Sequence, residues 1–157
     1  IVLLFKNNYY HLIKGVDKMS SIPEMLREKG LKVTPQRIAI LNMLMNTKSH
    51  PTAEAIFKAL EPTNPTMSLA TVYKTLDSFT SAELIQELSI DGESLHYDYN
   101  TAFHPHIICK KCGSVCDIDL DISDEINSVI NKIGSNTKYK VDKEQLFFYG
   151  LCENCEE

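Results

Sequence analysis

Four of the chain's five cysteines form two Cys-x-x-Cys pairs, Cys109 with Cys112 and Cys152 with Cys155. The two-residue spacing aims two sulfur atoms at one point, and two such pairs that meet in space suit a tetrahedral zinc ion. A small unit at this end of the chain needs such a staple, because its core is too small to stabilise it alone. We therefore predict a structural zinc site, with redox-active thiols as the alternative. The fifth cysteine, Cys116, is expected to be a small buried residue.

Histidines and aspartates next to the first cysteine pair could bind a second metal. His104 and His106 are two residues apart, so both rings face the same side of an extended segment. Asp98 and Asp117 flank them, and His50 lies in a loop that could reach them. Three imidazoles and two carboxylates form a mixed nitrogen and oxygen set that suits iron(II) or manganese(II). The alternative is an ordinary His-Pro-His turn on the surface.

The bulk composition narrows the class of protein. A chain of 157 residues with 43% apolar residues forms one large domain or two small ones with a real core. The net charge of -5 argues against a broadly basic nucleic-acid protein but leaves room for a local basic patch. Five cysteines without a secretory signal indicate a reducing compartment, so we expect a cytoplasmic protein with no membrane partner.

The first eighteen residues differ from the rest, because they lack its pattern of helix caps and apolar spacing. The segment Lys14-Gly-Val16 can be encoded by a bacterial ribosome-binding sequence placed before the codon of Met19. We interpret residues 1–18 as a translated leader. The alternative is a disordered N-terminal arm that belongs to the native protein.

Residues 19–99 are predicted to form a winged helix-turn-helix, in which helices are followed by a hairpin. The strands Leu84–Ser89 and Ser94–Tyr99 flank the turn signal Asp91-Gly92. We expect His96 to face away from the metal site or to be solvated. Capping residues mark four helix starts before the hairpin, at Ser21, Thr34, Thr52 and Ser68.

The fourth helix is a candidate for reading DNA. Its apolar positions recur at helical spacing, while hydroxyls and a lysine occupy the other face, where they could meet base edges and phosphates. An ordinary solvated face is the alternative. A basic patch in the first two helices, with Arg27, Lys29, Lys32 and Arg37, could contact phosphates. The residues on the polar face are Thr71, Tyr73, Lys74, Thr75 and Ser78.

A short polar segment, residues 100–104, is predicted to be a hinge before a small α/β domain at residues 105–157. That domain carries a cysteine pair at each end, and the whole chain is of the α+β class. The predicted elements are strands Ile107–Cys109 and Val115–Leu120, helix Ile122–Ile133 capped by Asp121 or Ser123, and strand Tyr139–Tyr149.

Five segments, in order along the chain, resemble the Fur family of metal-dependent bacterial repressors. The resemblance covers roughly Ser21 to Cys155 and implies a homodimer that binds an AT-rich inverted repeat in double-stranded DNA. The C-terminal domain would dimerise and the four cysteines would hold zinc. The matching segments are Lys32-Val-Thr-Pro-Gln-Arg37, His50-Pro-Thr-Ala-Glu-Ala-Ile-Phe57, Ser68-Leu-Ala-Thr-Val-Tyr-Lys-Thr-Leu76, His104-Pro-His-Ile-Ile-Cys-Lys-Lys-Cys-Gly113 and Tyr149-Gly-Leu-Cys-Glu-Asn-Cys155.

The resemblance also assigns roles to single residues. By position, His50, Asp98, His104, His106 and Asp117 match a regulatory metal site that bridges the two domains. Tyr73 would contact bases, with Lys74, Ser68 and Thr71 as helpers, and Arg37 would also bind DNA. Many relatives have arginine where Lys74 stands, which puts a bidentate contact at that position in doubt.

Aspartate at both carboxylate positions resembles the peroxide-sensing (PerR) branch of the family. In that branch hydrogen peroxide reacts at bound iron(II) and adds oxygen to a ligand histidine, here His50 or His104, whereas manganese(II) represses without reacting. Iron-uptake repressors often have a metal ligand beside the paired histidines, where this chain has Phe103 and Pro105.

Two other regulators and an enzyme are the rival interpretations. The chain could be an iron- or manganese-responsive repressor of metal uptake, or a zinc-thiolate redox switch. An enzyme is disfavoured, because the sequence has no nucleophile motif, no glycine-rich loop and no candidate general base on a helix near the histidines.

Overall fold

The computed structural model describes residues 20–90 and 94–156, so the interpreted leader at residues 1–18 lies outside the described part. A helix long and apolar enough to cross a membrane is not found among these residues. The helices are α1 (Ile22–Glu28), α2 (Pro35–Met45), α3 (Ala53–Leu60), α4 (Leu69–Ser81) and α5 (Ser123–Asn136), with a 3-10 turn at Glu61–Thr63. The strands are β1 (Gln86–Ile90), β2 (Ser94–Asp98), β3 (His106–Cys109), β4 (Val115–Asp117) and β5 (Phe147–Gly150).

The four predicted helix starts of the N-terminal unit are confirmed. The Ser21 backbone N–H donates to the Glu24 carboxylate at 2.8 Å, closing a capping box. The hydroxyls of Thr34, Thr52 and Ser68 each accept a backbone N–H three residues later, at 3.2 to 3.3 Å. These caps satisfy amide groups that would otherwise lack partners at the helix ends.

Helices α1–α4, the residues just before β1 and Tyr97 of β2 enclose the main apolar core, and α4 supplies its central face. One residue of the predicted polar face is placed wrongly, because Thr75 is buried inside this core at 5% exposure. Thr75 lies one turn after Thr71 and beside Leu76. At this point the apolar side of α4 is wider than the spacing of the apolar residues in the sequence suggested. The most deeply buried members of the core are Leu26, Ile40, Leu41, Ile56, Val72, Leu76 and Phe79.

Residues 20–90 and 94–156 form two small sheets. Strands β1 and β2 form the antiparallel wing, with Gln86 opposite Asp98. The second sheet has the order β4-β3-β5, with β3 antiparallel to β4 and parallel to β5. In its register His106 lies opposite Asp117, so two predicted metal ligands are cross-strand neighbours.

The second unit departs from the predicted elements. The strand predicted at Tyr139–Tyr149 is limited to Phe147–Gly150, because its partner β3 is only four residues long and follows Pro105, which has no amide hydrogen. Strand β4 ends at Asp117, and Cys116 is exposed and not buried. Alternation explains this difference, since Val115 faces inward and the next side chain must face outward.

Helix α5 begins one residue later and ends three residues later than predicted, and its N-terminal turn is held by Asp121. The Asp121 carboxylate accepts the backbone N–H of Ser123 at 3.2 Å and its hydroxyl at 2.8 Å. None of the helix's residues is buried, and Val129 and Ile133 are 50% and 38% exposed. An amphipathic helix with an uncovered apolar side normally packs against something.

A small apolar cluster joins the wing to the three-stranded sheet. The two lie on either side of residues 100–104 in the sequence, and the domain boundary predicted there stays a prediction. The Gln145 side chain adds a hydrogen bond across the same contact, donating to the Glu87 carbonyl at 2.8 Å. We call this group the inter-unit cluster, and its members are Leu88, Ile90, Ile108, Val115 and Phe147.

Candidate metal centres

The two cysteine pairs meet as predicted. The four sulfur atoms of Cys109, Cys112, Cys152 and Cys155 all lie within 4.8 Å of one another. The sulfurs of Cys112 and Cys152 are 3.8 Å apart. That distance is far longer than a disulfide bond, and it equals the edge of a tetrahedron with zinc–sulfur bonds of about 2.3 Å, which is about 3.8 Å.

The backbone around Cys109 favours the thiolate form that zinc binds, whereas the neighbouring cysteine sulfurs raise the pKa of Cys155 to about 12. Backbone N–H groups of Cys112, Cys152 and Lys111 point at the Cys109 sulfur and lower the pKa of that thiol to about 6. The turn closes at Gly113, whose amide donates to the Cys109 carbonyl at 2.9 Å. Its φ of +72° lies in the left-handed region that favours glycine. The donor set and its geometry fit a structural zinc.

Five side chains from five separate positions form a second cluster. His50 comes from the loop before α3, Asp98 from the end of β2, His104 from the hinge, His106 from the start of β3 and Asp117 from the end of β4. One ligand atom from each lies within 4.8 Å of all the others. All five residues predicted for the regulatory site are therefore brought together.

The distances show that the imidazole Nε2 atoms converge on the two carboxylates. His50 Nε2 is 2.8 Å from Asp117 Oδ1. His104 Nε2 is 3.1 Å from Asp117 Oδ1 and 3.2 Å from Asp98 Oδ2. His106 Nε2 is 3.6 Å and 3.8 Å from the same two oxygens.

Opposing effects set the charges at this site. Burial would raise the pKa of Asp98, but the His104 imidazole, the nearby His106 imidazole and the Asn100 backbone N–H outweigh it and hold that pKa below its usual range. Burial likewise would lower the pKa of His104, but the Asp98 hydrogen bond raises it to about 9. For His50 burial dominates and lowers the pKa. An ionised carboxylate as buried as that of Asp98 requires a compensating positive charge.

Buried nitrogen atoms indicate that a cation fits this cluster. His106 Nε2 is buried without a hydrogen-bond partner among the described residues, although it points at the carboxylates. His104 Nδ1 lies 2.8 Å from the Ala102 carbonyl, which can only accept, so Nδ1 carries a proton and Nε2 is directed at the site. A set of three imidazoles and two carboxylates suits iron(II) or manganese(II) better than a soft, thiolate-preferring ion.

The backbone at His50 is unusual. Its φ is +45°, in the left-handed region, and it is followed by Pro51, which further restricts the preceding residue. Such a conformation costs about 1–3 kcal/mol and persists only where surrounding contacts enforce it. The strain therefore coincides with a predicted metal ligand.

The residues predicted to contact DNA lie at the start of α4 and beside it. The hydroxyls of Ser68 and Thr71 are 2.9 Å apart, and Lys74 is exposed. The Tyr73 hydroxyl donates to the Glu54 carboxylate on α3. Arg37 is already used within the protein, since its guanidinium donates to the Lys32 carbonyl at 3.1 Å and to Ser78 at 3.3 Å.

Sequence reasoning missed the residues that support the ligands. Gln86 donates to Asp98 Oδ2 at 3.1 Å from the neighbouring wing strand. His96 does not face away from the site as expected, because its Nδ1 lies 2.6 Å from the His50 carbonyl. The parity of β2 was an available signal, since His96 and Asp98 are two residues apart and share a face.

Comparison with known proteins places the chain. The sequence profile of the Ferric uptake regulator family matches residues 28–155. The peroxide operon regulator of Bacillus subtilis is 41% identical over 132 residues, which are 84% of this chain and 89% of that protein. The peroxide-responsive repressor PerR of Staphylococcus epidermidis is 38% identical over 132 residues, with 84% and 86% covered.

Solved structures agree with this assignment. The ferric uptake regulator from Francisella tularensis with iron has a TM-score of 0.68 at 31% identity, covering 82% of this chain and 96% of that one. The Vibrio cholerae ferric uptake regulator has a TM-score of 0.68 at 29% identity, covering 83% and 98%. The order of winged helix, bridging His/Asp cluster and four-cysteine unit agrees with these matches, and the chain belongs to the Ferric uptake regulator family.

Proposed function

We propose that this protein is a metal-dependent transcriptional repressor that binds an inverted-repeat DNA operator as a homodimer and is inactivated by hydrogen peroxide. The observation that carries the proposal is the His50, Asp98, His104, His106 and Asp117 cluster, which joins the DNA-binding unit to the second unit. A metal there links the state of the site to the arrangement of the two units.

The DNA-binding part of the proposal rests on the winged helix. Helix α4 starts at the Ser68 cap with exposed polar side chains, and Tyr73 is 39% exposed although its hydroxyl is bound by Glu54. Tyr73 is proposed to meet base edges, with Lys74, Ser68 and Thr71 beside it. Arg37 is proposed to act mainly by holding α2 against α4, with its remaining N–H groups available to phosphate.

The dimer is supported by the uncovered side of the second unit. Several large apolar residues of α5 and of the strands near it are exposed, and a second copy of the chain would cover them. A dimer would also place two α4 helices at two half-sites of an inverted repeat. The exposed residues include Leu120, Val129, Ile133, Phe148 and Leu151.

Two metals with different tasks follow from the two clusters. Cys109, Cys112, Cys152 and Cys155 would hold structural zinc, whose binding free energy adds to folding. The bridging cluster would hold iron(II) or manganese(II) as the regulatory metal. It favours the DNA-binding arrangement only to the extent that it binds that arrangement more tightly than the open one.

Peroxide sensing is proposed from the ligands and from the relatives. Iron(II), when bound, would supply the redox catalysis that cleaves the O–O bond of hydrogen peroxide beside the ligand rings, and the two electrons that the peroxide takes up come in the end from the ring. The ring of His50 or His104 then gains one oxygen atom in place of a C–H hydrogen, and the second peroxide oxygen leaves as water. The ring has lost two electrons and is a poor ligand, so the closed arrangement is lost and DNA is released.

Three observations favour this reaction over metal sensing alone. Both carboxylates are the short aspartates, Asp98 and Asp117, and the positions beside the paired histidines are Phe103 and Pro105, which cannot bind metal. Relatives 36–41% identical are named as peroxide regulators.

Mass spectrometry of tryptic peptides tests the proposal. The zinc-loaded protein is supplied anaerobically with iron(II), treated with slightly substoichiometric hydrogen peroxide, and compared with a manganese(II) control. We expect one added oxygen on the peptide holding His50 or His104 in the iron sample only, with loss of operator binding. Unmodified histidines with intact DNA binding would instead indicate an iron- or manganese-responsive repressor, and disulfides with zinc loss would indicate a thiol switch.

A further inference from the structure

His96 on β2 contacts the backbone of a proposed metal ligand. Its Nδ1 lies 2.6 Å from the His50 carbonyl oxygen, across 46 residues of sequence. A carbonyl oxygen can only accept, so His96 Nδ1 must carry a proton and donate it. His96 itself is not among the five side chains of the cluster.

Neighbouring backbone contacts hold the same loop against the wing. The Tyr97 amide donates to the Pro51 carbonyl at 3.1 Å. Thr52 and His96 form an isolated antiparallel bridge. The loop that carries His50 is therefore fixed to β2 at three consecutive residues, immediately before the Thr52 cap starts α3.

His50 lacks the support that metal-binding histidines usually have. The second ring nitrogen of such a ligand normally bonds to a carboxylate, carbonyl or water, which sets the orientation of the ring. His104 has this support through its Nδ1 and the Ala102 carbonyl. The Nδ1 of His50 is buried and has no hydrogen-bond partner in the part of the chain that the structure describes.

The orientation of His50 must therefore be set through its backbone. That backbone adopts φ +45°, a strained conformation that persists only where surrounding contacts enforce it. The His96 hydrogen bond acts on the peptide unit of this residue, and so substitutes for the missing bond to the ring. Asp98 lies two residues further along the same strand, so β2 also supplies one of the five side chains of the cluster.

We propose that His96 is a positioning residue for the regulatory metal, holding the ligand His50 through its backbone carbonyl. This inference rests on the proposed function of the five-residue cluster. The competing explanation is that His96 only packs within the wing. The positioning role requires an N–H donor at position 96 for normal metal binding, whereas the packing role does not.

Matched variants separate these explanations in the full-length, zinc-loaded protein. His96→Asn keeps an N–H donor the same number of bonds from Cβ, whereas His96→Phe keeps a planar ring without a donor. His96→Leu replaces the Phe variant if that variant does not fold, as judged by circular dichroism and zinc content. Ser89→Ala, at an exposed position of the paired strand, is the control for unspecific changes in the wing.

The readouts are the Mn2+ affinity, measured by chelator competition, and the share of added oxygen at His50 against His104 after iron(II) and peroxide. We expect the donor-less variant to bind Mn2+ at least about tenfold more weakly and to shift oxygen from His50 to His104. His96→Asn and Ser89→Ala should stay within about threefold of the unsubstituted protein.

Two results would overturn the inference. One is a folded donor-less variant whose Mn2+ affinity and oxygen distribution are unchanged, and the other is a His96→Asn variant that is as impaired as His96→Phe. Failure of the proposed function gives a different result. If the five-residue cluster does not bind the metal, Asp98→Asn binds Mn2+ as well as the unsubstituted protein does. The proposed role of His96 is then excluded as well.

Discussion

Leu88→Ala is expected to weaken regulatory metal binding although residue 88 is not a ligand. Leu88 is 1% exposed and belongs to the inter-unit cluster, outside the main core of the winged helix. Its side chain packs where the wing meets Ile108, Val115 and Phe147. Removing it should leave both units folded and destabilise their contact, which the bridging cluster requires.

The magnitude follows from the burial. Truncating a buried leucine costs about 2–5 kcal/mol. The inter-unit cluster is small and can relax, so we expect Leu88→Ala to cost about 2 kcal/mol. Each 1.4 kcal/mol is about tenfold in an equilibrium constant, so Mn2+ affinity should fall by up to about 30-fold. The loss reaches this limit when the open arrangement predominates without metal.

The assay is Mn2+ titration of the zinc-loaded protein, by calorimetry or chelator competition, with thermal unfolding followed in parallel. Leu95→Ala is the matched control, because Leu95 lies on the same hairpin but is 42% exposed. It should change Mn2+ affinity by less than about twofold. Unaltered Mn2+ affinity in a folded Leu88→Ala protein would refute the coupling between the cluster and the site.

Further predictions concern the zinc site, the inter-unit hydrogen bond and the recognition helix. Cys152→Ser should abolish zinc binding and unfold the second unit, whereas Cys116→Ser, at an exposed thiol outside the cluster, should retain zinc by metal analysis. Gln145→Ala removes one uncharged hydrogen bond, about 1 kcal/mol, so Mn2+ affinity should fall at most about fivefold in the same titration. Tyr73→Phe keeps the ring and removes a hydroxyl that Glu54 already occupies. Operator affinity by fluorescence anisotropy should fall by less than about threefold for Tyr73→Phe and at least about tenfold for Tyr73→Ala.

Local signals in the sequence predicted the helix starts and the ligand sets well. A cap such as Ser68 acts within three residues, and the cysteine spacing acts within one turn, so both can be recognised without the fold. The hydrogen bond from His96 to His50 spans 46 residues and involves a main-chain carbonyl, which carries no sequence signal.

Lengths of the elements in the second unit were harder to predict for a related reason. The segment before Phe147 alternates like a strand, but how much of it pairs depends on where β3 begins and ends. The position of Cys116 depended likewise on which face of β4 the cluster around Val115 occupies. Both are properties of the partner element and not of the segment itself.

The separation of the two cysteine pairs has a consequence during protein synthesis. Cys152 follows Cys112 by 40 residues, so at about 5–20 residues per second the ribosome makes the second pair about 2–8 s after the first. During this interval a nascent chain holds only half of its zinc ligands. Chains under synthesis when an oxidant arrives are therefore expected to be more open to thiol damage than finished molecules, whose sulfurs the proposed zinc would shield.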